Sequence, residues 1–195
     1  MKLKLTIILF YLGTVSVAFG DSWLDKGVEA YQEKNYQQAV NDFKKSANSG
    51  NPQGQNDLGV YYIRSVPHTV DKYKEAKRWL DKASEQNLSA AYYNLAGLYK
   101  DGLGVTKNLE HAVTLYKRGA QLGDVKSCGK LGFLYLHGQG VTEDISYSYL
   151  YFTLAAENGD QISSNMLNVI SKQMTPQQLK QANELVKNYK FASTD

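Results

Sequence analysis

Apolar residues recur along this chain at the four-residue spacing of a helix that buries one side. Ala91, Leu95 and Tyr99 lie four residues apart, and Ala112 and Tyr116 repeat the spacing after a short polar loop. Residues at this spacing share one face of a helix. The pattern therefore predicts two amphipathic helices joined by a loop.

The helix pair is repeated with a period of 36 or 37 residues. Residues 95–124 align with residues 131–160 without a gap, and two weaker copies precede them. Each copy closes on a residue suited to the left-handed backbone at the end of a helix. The closing residues are Gly50, Asn87, Gly123 and Gly159. Periods of this size indicate a stacked-repeat architecture, in which neighbouring units cover each other's apolar faces.

The repeats organise residues 21–190 as a single domain of four units and a capping segment. The units span about 22–51, 52–88, 89–124 and 125–160. In the capping segment, residues 161–190, we expect Thr175 to be an N-cap and Pro176 the first helical residue. The residues expected to face the last unit are Leu179, Ala182, Val186 and Tyr189.

A Gly-x-Gly motif joins the two helices in the third and fourth copies, and two interpretations compete for it. A dinucleotide-binding loop would need a third glycine and a preceding strand. Here Gly102 and Gly104 follow a predicted helix, and Gly138 and Gly140 stand in the same place 36 residues later. We therefore interpret these glycines as a structural element of the repeat and not as a phosphate-binding loop.

The order of these features resembles the Sel-one-like repeat (SLR), a lengthened relative of the tetratricopeptide repeat. That order is L-G-x-x-Y, then G-x-G-V, then Ala and an aromatic residue, then a closing Gly, over about residues 54–159. Ala96 and the loop 64–70 depart from it, and the first unit looks more like an ordinary tetratricopeptide unit. The repeat register predicts about nine helices, two for each of four units and one in the cap. The resemblance implies an all-α fold, a right-handed α/α superhelical solenoid with a C-terminal capping helix, in which the Gly-x-Gly glycines join antiparallel helices with backbone angles closed to other residues.

The N-terminal residues have the pattern of a secretory signal peptide. Lys2 and Lys4 precede an apolar run, and small residues lead up to Gly20. The run is shorter than the roughly 20 residues that a membrane-spanning helix needs. We therefore expect residues 1–20 to be removed and the protein to be exported, to the periplasm or beyond the cell, without stable membrane insertion.

The charge of the chain argues against nucleic acid as the partner. The 22 basic and 19 acidic residues give a net charge of +3, which falls to +1 without Lys2 and Lys4. Binding to phosphate backbones needs a concentrated basic face. Cys128 is the only cysteine, so an intramolecular disulfide is impossible, and we expect its side chain to be buried as a small apolar group.

Residue patterns typical of catalysis are weak. His68, His111 and His137 are scattered without the spacing of a metal site. The string Ser127-Cys128-Gly129-Lys130 matches the S-x-x-K motif of serine beta-lactamases, but the companion motifs are missing and Ser127 occupies a packing position of the repeat. We predict that the protein is not an enzyme and needs no cofactor or metal.

The first helix of each unit lines the concave side of such folds, which is the usual docking surface. Outward positions on these helices are Asn56, Val60, Ile63, Tyr93, Gly97, Lys100, Gly129, Phe133 and Leu136. Tyr31 is a further candidate, and Lys130 is expected, with Asn56, to tune specificity. Outward aromatic and apolar side chains indicate a protein or peptide partner. The alternative is that neighbouring helices cover them.

Three functional hypotheses follow. The first is an exported, periplasmic interaction module that assembles or inhibits another envelope or secreted protein. A narrower version, implied by the SLR resemblance, is an immunity protein that neutralises a toxic effector such as a secreted lipase. The remote alternative is a hydrolase of beta-lactamase type.

Overall fold

The computed structural model describes residues 22–189, and within that range every regular element is a helix. The helices are α1 (Ser22–Gln32), α2 (Tyr36–Asn48), α3 (Pro52–Arg64), α4 (Val70–Glu85), α5 (Ser89–Asp101), α6 (Leu109–Gln121), α7 (Val125–Leu136), α8 (Ile145–Glu157), α9 (Gln161–Ile170) and α10 (Pro176–Asn188). The predicted all-α solenoid is confirmed.

Consecutive helices pack as pairs, and the pairs stack. α1 packs on α2, α3 on α4, α5 on α6 and α7 on α8, and the second helix of each pair also packs on the first helix of the next. Large side chains from the second helices, among them Tyr116 and Phe152, are fully buried between the layers. The core is therefore a row of connected clusters along the solenoid.

Most helices begin at a side-chain cap. The oxygen of Asp124 accepts a hydrogen bond from the Ser127 N–H at 2.6 Å, and Asp144 caps α8 in the same way. Each cap satisfies a backbone donor that the first turn leaves without a partner. Thr175 forms a capping box with Gln178 and is followed by Pro176, as predicted.

The expected count of about nine helices is wrong for this part of the chain, because the segment after the fourth unit holds two helices. α9 continues the repeat register: Ser163 and Leu167 stand 36 residues after Ser127 and Leu131. Its N-cap, Asp160, follows a closing glycine, as at the start of α7. α9 is therefore the first helix of a fifth, incomplete unit.

The last helix, α10, closes the apolar end of the stack. It packs mainly on α8. Ala182 is buried, and Val186 and Tyr189 pack against the cluster around Cys128 and Tyr151. The expected capping face of this helix therefore covers the second helix of the fourth unit.

The Gly-x-Gly loops take the left-handed backbone expected of turn residues. Gly104 and Gly140 have φ angles of 70° and 73°. A Cβ on Gly140 would lie 2.7 Å from the main-chain carbonyl of Leu109, at the start of the preceding unit's second helix. Each loop thus turns the chain and touches the backbone of its neighbour.

Very small residues face each other where the second helix of one unit crosses the first helix of the next. Ser46 contacts Gly54 and Gly119 contacts Ser127 in this way. The equivalent positions of the other two crossings, 36 or 37 residues away, hold Ala83 with Ala91 and Ala155 with Ser163. All eight residues are buried. A Cβ on Gly119 would lie 2.6 Å from Ser127 Oγ, so a larger residue at this position must displace the serine hydroxyl.

The predicted signal peptide, residues 1–20, lies outside the described residues. Among residues 22–189, no helix combines the length and apolar character needed to cross a bilayer.

Replacing Gly140 with Ala should destabilise the protein more than replacing Gly123 with Ala. Both glycines have positive φ, but a Cβ on Gly123 has nothing within 4 Å. The left-handed backbone alone costs about 1–2 kcal/mol, and Gly140→Ala must also displace the Leu109 backbone. We expect a further loss of about 1–3 kcal/mol in the free energy of unfolding, measured by urea titration. Equal losses in the two variants would contradict the contact.

Candidate partner-binding groove

Two depressions lie along the first helices of the solenoid. The N-terminal groove is lined by Val28, Tyr31, Val60, Tyr61 and Arg64. The central groove comprises two cavities of about 240 and 480 Å³ that share Tyr93 and Lys130. Its lining includes Ile63, Tyr93, Lys100, Lys126, Lys130 and Phe133. A partner could therefore contact several units at once.

Most predicted contact residues line these two grooves. Tyr31 and Val60 lie in the N-terminal groove. In the central groove are Ile63, Tyr93, Gly97, Lys100, Gly129, Lys130 and Phe133. Leu136 is half-buried in the last turn of α7. The helical register thus brings these residues to one side, and their binding role stays a prediction.

The expectation that Asn56 faces outward is wrong. Its side chain is only 4 % exposed. Its amide nitrogen donates to Asp57 Oδ1 at 3.0 Å, and its Oδ1 accepts from Asn94 Nδ2 at 2.8 Å. Asn56 therefore joins α3 to α5 beneath the groove, and its neighbour Asn94 is the one that lines it.

Tyr93 is held on one face and open on the other. Its ring lies 5.8 Å from the ring of Tyr116, which is fully buried. Burial raises the pKa of the Tyr93 hydroxyl, and the nearby Asp124 carboxylate adds to the shift. The phenol is therefore neutral at physiological pH, and its half-buried ring can act as a rigid apolar contact.

Phe133 has the same arrangement one unit later. Its ring meets the buried ring of Phe152 edge-on, with the centroids 4.9 Å apart. Like Tyr93, Phe133 is half-buried and lines the cavity. Neighbouring helices thus cover one side of each ring and leave the other side to the groove.

Lysines surround these rings. Lys126 and Lys130 are exposed on successive turns of α7, and the Lys126 ammonium lies 6.0 Å from the centre of the Tyr93 ring. The Lys100 ammonium pairs with Asp101 at 2.6 Å. The central groove therefore combines an apolar floor with a rim of three lysines, among which the carboxylates of Asp101 and Asp160 also lie.

Asn94, Lys126 and Ile162 also line the central groove, although they are not among the predicted contact residues. Lys126 lies five residues before Leu131, on the same helical face as the predicted positions, so extending the projection by one turn would have found it. Ile162 belongs to α9, which we had assigned to the capping segment.

Ser127 and Cys128 of the S-x-x-K string are buried packing residues. Ser127 is fully buried at the crossing of α6 and α7, whereas Lys130 is exposed. Cys128 is 1 % exposed, and burial raises the pKa of its thiol to about 12, so the thiol is protonated at neutral pH. Within residues 22–189, no three metal-ligating side chains are grouped to hold an ion.

The family model of the Sel1 repeat matches four segments of the chain, residues 10–51, 52–88, 89–124 and 125–160. DAP3-binding cell death enhancer 1 of Rattus norvegicus is 37 % identical over 89 residues, which cover 45 % of this chain and 17 % of that protein. The Mus musculus protein of that name is 32 % identical over 88 residues, with the same coverage. The chain thus spans less than a fifth of the length of these curated relatives.

Solved structures share the architecture. A Sel1 repeat protein from Oxalobacter formigenes matches with a TM-score of 0.67 and 29 % identity, over 75 % of this chain and 60 % of that one. The protective antigen c5321 of uropathogenic Escherichia coli, described as displaying an SLR fold, matches with a TM-score of 0.62 and 23 % identity, over 87 % and 45 %. Helicobacter pylori cysteine rich protein B matches with a TM-score of 0.52 and 21 % identity, over 77 % of this chain and 98 % of that one. The last two likenesses concern the fold alone.

The hydrogen bond between Asn56 and Asn94 should make the effects of mutating the two residues on the free energy of unfolding non-additive. We expect Asn56→Ala to cost about 1–3 kcal/mol, because it removes the two hydrogen bonds that this buried amide makes with Asp57 and Asn94. Asn94→Ala should cost less, since Asn94 is half-exposed. In a double-mutant cycle followed by urea unfolding, the coupling should be about 0.5–1.5 kcal/mol. Additive effects would mean that the bond contributes nothing to stability.

Proposed function

The chain belongs to the Sel1 repeat family, and we propose that it is an exported, periplasmic interaction module that binds a protein or peptide partner in the central groove. Sel1 repeats are typically non-catalytic scaffolds that bind proteins. The observation that carries the proposal is the pair of half-exposed rings, Tyr93 and Phe133, in a continuous groove across successive repeats.

The composition of the groove supports a macromolecular partner. Binding energy in protein interfaces concentrates in a few aromatic anchors in desolvated pockets, surrounded by a polar rim. Tyr93 and Phe133 supply two such anchors, and Lys100, Lys126 and Lys130 supply the rim. The buried rings behind the anchors limit their motion, which lowers the entropy lost on binding.

Export rests on the N-terminal sequence pattern. A basic start followed by an apolar run and small residues is typical of a secretory signal. The first family match begins at residue 10, inside this segment. N-terminal sequencing of the protein from the periplasmic fraction tests the proposal, with cleavage after Gly20 as the expected result. Uncleaved protein confined to the cytoplasm would contradict it.

The immunity hypothesis is a narrower form of the same proposal, in which the partner is a toxic effector. It stays a prediction, and co-expression with such an effector would test it: the chain should restore growth, and unrelieved toxicity would count against it.

Replacing Tyr93 or Phe133 with Ala should weaken partner capture while the protein stays folded. Each ring is half-buried, so we expect a loss of about 1–2 kcal/mol in stability, below the cost for a fully buried aromatic residue. Loss of an interface anchor costs more than about 1 kcal/mol, which is at least about fivefold in affinity.

The measurement compares envelope proteins captured by purified wild type, Tyr93→Ala, Phe133→Ala and the control Tyr92→Ala. Tyr92 is a half-buried neighbour on α5 whose hydroxyl donates to the Ser84 carbonyl. A partner retained by the control and depleted by both groove variants is expected. Equal capture by all four proteins would overturn the groove assignment.

A further inference from the structure

The rim of the central groove carries cations that no acidic side chain of residues 22–189 pairs with. Lys126 and Lys130 are exposed and one helical turn apart on α7. The ion pairs of the described residues involve other lysines and Arg78. The two ammonium groups are therefore free to contact a ligand's anionic groups.

The acidic residues near these lysines have other partners. The Asp101 carboxylate pairs with Lys100. Asp124 accepts from the Ser127 N–H at 2.6 Å, and Asp160 accepts from the Ile162 N–H at 3.1 Å and from Ser163 Oγ at 2.7 Å. The Asp124 and Asp160 carboxylates are N-caps of α7 and α9, so turning them toward the lysines would break these caps.

An apolar floor lies among the lysines. Tyr93 and Phe133 form its centre, and Ile162 at the start of α9 is 63 % exposed. An anion held by the lysines alone would leave these surfaces uncovered. The ligand that suits the whole groove carries both negative charge and at least one apolar side chain.

The length of the groove indicates an extended chain. Its lining runs from Ile63 on α3 to Ile162 on α9, across four successive first helices. Directly packed helices have axes about 8–10 Å apart, and successive first helices are no closer than that, so the span is at least about 24–30 Å. An extended segment covers that distance with about eight residues. Asn94 on the floor can donate to, or accept from, the main chain of such a segment.

We propose that the central groove binds an extended acidic segment of a partner protein. Its carboxylates contact Lys126 and Lys130, and its apolar side chain lies between Tyr93 and Phe133. The inference rests on the proposed function of the groove and specifies the chemistry of the ligand.

The probe is a random library of peptides about twelve residues long, displayed on phage and selected on the purified protein. We expect the selected peptides to be enriched in Asp and Glu together with Leu or an aromatic residue. Affinity of the best peptide, measured by fluorescence anisotropy, should fall when NaCl rises from about 50 to about 300 mM, because salt screens the contacts.

The decisive variant is Lys126→Glu with Lys130→Glu, matched by Lys180→Glu with Lys187→Glu. The control lysines are exposed on α10, and the two double variants change the net charge equally. The groove variant should bind the acidic peptide at least about tenfold more weakly, and the control should bind it within about twofold of wild type.

The outcomes separate this inference from the proposed function. Neutral or basic selected peptides whose binding is lost in Phe133→Ala would overturn the acidic ligand and leave the groove as the binding site. Acidic peptides that bind Phe133→Ala and Tyr93→Ala at full strength would overturn the groove itself. No enrichment, or equal binding of a single-stranded oligonucleotide of similar charge, would overturn the inference.

Discussion

The close crossing between repeats is the constraint on which the rest of the structure depends. At each crossing two very small residues occupy the facing positions of a second helix and the next first helix, and at two of the four crossings one of them is a glycine in contact with a serine. Ser46 faces Gly54, whereas at Gly119 and Ser127 the two residue types are exchanged. Protein interiors are packed densely enough that one extra atom at such a contact must displace its neighbours. The crossings therefore fix the distance between units, and the loops and caps adapt to it.

The shape of the groove depends on the side chains that pack next to these crossings, between the two helices of each unit. Within a unit, a large side chain of the second helix lies against a glycine of the first, as Phe152 does against Gly132, where an added Cβ would be 2.6 Å from the ring. Phe152 then supports Phe133, and Tyr116 supports Tyr93 in the same way. The rings that face the groove thus pack on rings that belong to the hydrophobic core. Rigid aromatic surfaces of this kind lose little entropy on binding, so the packing of the core also prepares the surface for a partner.

The architecture could be predicted from the sequence because the smallest and most apolar residues recur at the same positions of each repeat. All four closing positions have positive φ, including Asn87 at 59°. Side-chain reach was not predictable from that register. Asn56, Tyr93 and Gly129 occupy equivalent positions, yet the tyrosine emerges into the groove while the asparagine stays beneath it and bonds Asn94. A helical wheel shows only the direction in which a side chain leaves its helix. Whether that side chain is exposed depends on how far the next helix covers it. The assignment of α9 to a fifth unit was not predicted, because most of its residues differ from those of the other first helices. Only Ser163 and Leu167 match the repeat positions.

The most direct test of this account exchanges the two residues of one crossing. Gly119→Ser should be destabilising, by about 1–3 kcal/mol, because its side chain meets Ser127 Oγ. Adding Ser127→Gly recreates the arrangement that Ser46 and Gly54 already have. In a double-mutant cycle of unfolding free energies, which cancels the helix propensities of the single changes, we predict a favourable coupling of about 1–2 kcal/mol. A coupling within about 0.3 kcal/mol of zero would contradict the claim that matched residue size at the crossings sets the spacing of the repeats.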